Sequence, residues 1–163
     1  MHGSESVFVG LLAVFSIGVG LGSLLCERLS KGVVEIGLVP IGAMGMMAFG
    51  IDLYTASDSG AADWRLLSDI AFIGFFGGVY IVPLYALIQS RAEKTHQSRV
   101  IAANNVLNAL FMVISAVFAM LLFKLGLNIP QLFLITAMMN ALVIIYLCLR
   151  QPEYFRRMKS WRL

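Results

Sequence analysis

Charge is scarce in this chain. Only 13% of its 163 residues are Asp, Glu, Lys or Arg, and 60% are hydrophobic. Soluble domains carry roughly 25% charged residues. A fold of this size leaves much of its chain at the surface and cannot hide that much apolar area from water. The mean hydropathy of +0.87 agrees. An ordinary soluble domain and a disordered chain are both excluded. Cysteine is scarce too. Cys26 and Cys148 stand far apart, without metal-ligand spacing, at the ends of apolar runs. They read as free thiols rather than a disulfide frame or a zinc module. The two histidines, His2 and His96, read as loop residues by position. There is no Ser-His-Asp order, no H-x-x-x-x-D and no phosphate-binding glycine loop. The chain is therefore expected to be no enzyme and to hold no metal and no cofactor. Ten-residue strands of alternating polarity, the mark of a membrane barrel, are missing as well.

What the chain has is long apolar runs. A bilayer core is about 30 Å thick and needs about 20 apolar residues in a helix. Five stretches qualify, at about 7–25, 33–54, 67–88, 100–123 and 131–149. A span in hydrocarbon must satisfy its own backbone hydrogen bonds, so each is predicted helical. The expectation is an all-α, polytopic membrane helix bundle over residues 1–150, with a short tail over 151–163. Methionines such as Met44, Met46, Met47, Met138 and Met139 read as gap-filling packing.

The formal net charge is +3, which raises the question of nucleic acid. The basic residues sit between apolar runs, so orientation in the bilayer is the better account, and no nucleic-acid partner is expected. Arg28, Lys31, Arg91, Lys94, Arg99, Arg150, Arg156, Arg157, Lys159 and Arg162 fall on one side of alternating spans. Only Arg65 and Lys124 fall on the other. By the positive-inside rule this ten-to-two split puts the N-terminus outside and the C-terminus in the cytoplasm. Residues 1–6 carry only His2 and Glu5, with no Lys or Arg, and the first run is long enough to span, which argues against a cleaved leader. Five spans with an outside start suggest part of a longer carrier. In the tail, Tyr154, Met158 and Trp161 share a helical face among basic residues. That pattern fits either a helix on the membrane surface or a simple orientation signal.

Small and polar residues inside the runs are the next signal. Gly18 and Gly22 form one G-x-x-x-G pair, and Gly74 and Gly78 another. Each clears a strip for a neighbouring backbone. With Pro40, Gly42, Gly45, Gly50 and Pro83 they serve either plain helix packing or bending during a transport cycle. Asn104, Asn105 and Asn108 make the most polar constellation. They form either interhelical hydrogen bonds or the lining of a substrate path. Asp52 and Asp69 map near helix ends, where a carboxylate is either hydrated or a coupling group for protons or ions.

The segment from Gly22 to Gly32 (GSLLCERLSKG) resembles the loop signature of the major facilitator superfamily, G-x-x-x-D-R-x-G-R-R. Glu27 takes the acidic place, and Arg28 and Lys31 keep the basic character. Ser30 and Gly32 depart from the pattern. The stretch from Gly77 to Gln89 (GGVYIVPLYALIQ), followed by Arg99 to Asn108 (RVIAANNVLN), is similar to bacterial lysophospholipid-transporter-like proteins. Some of these are fused to a glycerophospholipid acyltransferase. The resemblance implies a partial major-facilitator fold, helices eight to twelve of twelve, in a bacterial inner membrane. It implies movement of lysophospholipid or a related amphiphile by alternating access. It implies a gate of Gly22, Glu27, Arg28 and Lys31, and a path in which Tyr80 and Gln89 join the asparagines. Expected partners are the bilayer, the lipid substrate, and an N-terminal transporter half or acyltransferase domain. The competing expectation is a membrane anchor or interaction subunit for such an acyltransferase.

Overall fold

The computed structural model describes residues 2–30, 36–58 and 63–150. Five helices account for almost all of them: α1 (His2–Ser30), α2 (Leu38–Asp58), α3 (Asp63–Arg91), α4 (Gln97–Lys124) and α5 (Ile129–Arg150). No strand occurs among the described residues. All five helices are long and apolar enough to cross a membrane, so the protein is all-α with the composition of a multi-pass membrane protein. The tail over 151–163 lies outside the described residues.

The helices overrun the apolar stretches. α1 continues through Cys26, Glu27 and Arg28 to Ser30, and α3 begins at Asp63, ahead of Leu67. At about 1.5 Å per residue, the 29 residues of α1 and of α3 exceed a 30 Å core. Their charged ends can reach the polar headgroup layer without breaking the helix.

Local chemistry sets the ends. α5 is opened by a reciprocal cap. The Gln131 N–H donates to Asn128 Oδ1 at 3.0 Å, and the Asn128 N–H donates to Gln131 Oε1 at 2.9 Å. This satisfies two of the amides that a helix start leaves open. Pro130 and Pro40 fall in first turns, where a missing N–H costs nothing. α4 closes on Gly126, whose φ of 89° is the left-handed conformation that glycine adopts freely. The Leu127 N–H reaches the Leu122 carbonyl at 3.2 Å and the Gly126 N–H reaches that of Phe123 at 3.0 Å. This is a Schellman closure.

Neighbouring contacts give the directions. Gly18 and Gly22 of α1 lie against Ala71 and Phe75 of α3, and Gly74 and Gly78 of α3 lie against Phe15 and Val19 of α1. The numbers rise together, so the two helices run parallel. In each case a β-carbon would meet the partner's backbone, which cannot yield, so the four glycines interlock two main chains. α2 runs antiparallel to α3. Gly42 meets the Tyr80 backbone, Gly45 houses the Phe76 ring, and Phe49 stacks on Phe72 at 4.6 Å. α5 closes the other side of α2, with Gly50 near Ala137 and the Asn140 side-chain amide donating to the Ala43 carbonyl at 2.9 Å. At one end of the bundle Cys26, Leu38 and Val79 form a small buried cluster.

The row is therefore α1, α3, α2, α5. α4 stands apart. None of its residues is buried. It is tied to α3 by the Asn108 side-chain amide, which donates to the Tyr85 hydroxyl at 2.7 Å.

Candidate functional site

Two polar constellations interrupt the apolar bundle, one at each end. The first lies where α2 finishes and α3 begins. The antiparallel packing of α2 on α3 brings Asp52 opposite Arg65 and Asp69. Arg65 Nη2 contacts Asp52 Oδ1 at 2.7 Å. The Thr55 hydroxyl donates to the Asp52 carbonyl at 3.0 Å. Arg65 and Asp69 are one turn apart on α3 and share a face. The Asp69 carboxyl is in electrostatic contact with both Asp52 and Arg65. Asp69 is 2% exposed, and its Oδ2 has no hydrogen-bond partner. Burying a carboxylate oxygen without a donor costs about 1–3 kcal/mol or more. Two carboxyls therefore face one guanidinium where α2 packs on α3, with only Asp69 enclosed.

Of the two readings of Asp69, hydration at the interface does not hold. The residue sits six residues into α3 and is enclosed by protein. The signal was present in the sequence. Asp52 and Asp69 are nearly equidistant from the centre of the loop between two adjacent spans. Hydropathy treats each span alone and does not pair them.

The second constellation belongs to α4. Asn104 is half-buried, while Asn105 and Asn108 are exposed. Only Asn108 is bonded across to another helix, through Tyr85, a residue inside the quoted stretch but not among the expected path residues. Tyr80 lies on the α2 side of α3, its backbone against Gly42. Gln89 is exposed near the end of α3. The structure therefore brings Asn108 to α3, leaves Asn105 outward, and does not gather Tyr80 and Gln89 with them. Of the expected gate, Gly22 is packed under Phe75. Glu27 and Arg28 are exposed on the last turns of α1 and make no ion pair among the described residues. Lys31 lies outside the described residues.

A cavity of about 620 Å³ opens beside the first constellation, between the ends of α1, α2, α3 and α5. Its walls are apolar apart from Ser57, with Leu11, Leu53, Leu66, Ile70 and Phe133 prominent. Leu53, Leu66 and Ile70 are the sequence neighbours of Asp52, Arg65 and Asp69. The chamber is thus flanked by the charged cluster and is not lined by it. Among the described residues no group of three or more His, Cys, Asp or Glu is placed to hold a metal.

No family model matches the chain, and no curated protein or solved structure matches it either.

Proposed function

We propose that this chain is a membrane carrier component of the major facilitator type, working with a second set of helices to move an amphiphile by alternating access. The loop over residues 22–32 resembles the major facilitator signature, and the stretches over 77–89 and 99–108 resemble lysophospholipid-transporter-like proteins, which gives the substrate class. The observation that carries the reading is α4. It holds three asparagines, yet none of its residues is buried. Side-chain amides facing hydrocarbon are costly, so this helix needs protein or a watery cleft on its open side. A second transporter half supplies both. The interlocked α1 and α3 supply a stiff body against which such a cleft can open. The proposal gives the chain no catalytic role, and sets it in a bacterial inner membrane with the end bearing Arg28, Arg91, Lys94 and Arg99 in the cytoplasm.

The test is flux of a fluorescent lysophospholipid across vesicles holding the protein, alone and with its co-purifying helices. Asn104→Leu and Asn108→Leu are expected to lower flux about tenfold at unchanged protein level, Asn105→Leu as much or more. Unchanged flux in all three would remove the asparagine path. The same open α4 face also suits an interaction subunit. Co-purification of an acyltransferase, with no flux from any preparation, selects that second reading.

A further inference from the structure

The cluster of Asp52, Arg65 and Asp69 is not used by the substrate path. Its members differ in access. The side chains of Arg65 and Asp52 are 42% and 39% exposed, whereas Asp69 behind them is 2% exposed. The guanidinium is committed to Asp52 at 2.7 Å. Asp69 is left with a buried oxygen that no group donates to. The charged or titratable groups facing Asp69 are Asp52 from α2 and Arg65 from its own helix. α1, which packs along α3 in parallel, carries Glu27 and Arg28 at the far end and His2 and Glu5 in its first turns, ahead of Val7 at the cluster's end of the bundle. α4 is tied to α3 at Tyr85, also towards that far end. The cluster therefore lacks one positive charge and one donor. Buried charges persist when paired and are otherwise neutralised. A metal cation is a poor occupant, because Arg65 already points its charge into the same space. A proton supplies both missing elements at once. On Asp69 it cancels the charge and gives an O–H that can donate toward Asp52.

We propose that Asp52, Arg65 and Asp69 form a site for one exchangeable proton, held on Asp69 and reached through the Asp52–Arg65 pair. Resting on the carrier reading, we further assign this proton as the one that drives the transport cycle. Intramembrane carboxylates behind a cationic partner are suited to such relays.

Two measurements on the full chain in lipid vesicles separate the parts. Infrared spectra taken from alkaline to acidic pH are expected to show a protonated carboxyl band that Asp69→Asn removes and Asp52→Asn shifts, because the hydrogen-bond acceptor changes. A band that survives Asp69→Asn, or no band in the parent protein, overturns the site. Asp69→Glu guards against misfolding of the amide variant. It is expected to keep the band at a displaced frequency, and an unmoved band counts against the site. In the second measurement a pH step is imposed across vesicles at zero membrane potential, with fluorescent lysophospholipid as probe. One coupled proton predicts about a tenfold shift in the leaflet ratio per pH unit, and no response from Asp69→Asn at undiminished exchange. Flux indifferent to the pH step in the parent protein overturns the coupling. A band that behaves as described, with no flux from any variant, leaves the proton site standing and removes the carrier reading.

Discussion

Single side chains do uneven amounts of structural work here. The amide of Asn140 joins α5 to α2 by one hydrogen bond to a backbone carbonyl. Such bonds contribute only about 0.6 kcal/mol on average inside membranes, because the separated helices find other partners. Asn140→Leu is therefore expected to lower the unfolding midpoint in detergent slightly. Arg65→Gln is expected to lower it more, because Asp52 and Asp69 would then face each other with no cation between them. Equal shifts for the two variants would mean that the carboxyls do not interact. None of this was visible residue by residue in the sequence. Asp52 and Asp69 each had an ordinary explanation at a helix end, and Arg65 had the look of a lone loop charge. Only the antiparallel packing of α2 on α3 makes them one group.

At the scale of elements, the five spans were legible because roughly twenty consecutive apolar residues have few other solutions. Their ends were less so. Hydropathy marks the edge of the hydrocarbon, whereas the helix stops where its backbone hydrogen bonds find another partner, as at Gly126 or at the Asn128–Gln131 cap. The glycine pairs were legible as strips but not as each other's partners. Gly78 lies over Val19 and Ser23, whereas Gly20 has open space around it. Overpacking a well-filled contact typically costs about 1–3 kcal/mol, and here a backbone is the obstacle. Gly78→Leu should thus abolish a monodisperse peak in size-exclusion chromatography, and Gly20→Leu should leave it intact. Comparable profiles would contradict the interlocked contact between α1 and α3.

For the whole molecule, the alternating directions of the five helices collect Arg28, Arg91, Lys94, Arg99 and Arg150 at one end. Arg65 and Lys124 mark the other. This arrangement gives the positive-inside expectation a geometric test. In a variant with both native cysteines replaced by alanine, a cysteine at Lys94 should react with an impermeant maleimide only after cells are broken. One at Lys124 should react in intact cells. The reverse pattern would invert the orientation and move the Asp69 proton route to the cytoplasmic face.

The union of α1 with α3 also governs how the protein is made. Each helix meets its main neighbour out of sequence order, since α2 is synthesised between them. When Ser30 leaves the ribosome, Gly74 is still 44 residues from leaving it, a delay of roughly two to nine seconds at common elongation rates. For that interval the first helix must wait in lipid with its glycine strip uncovered. An insertion factor that shelters a helix lacking its mate would find its client in α1.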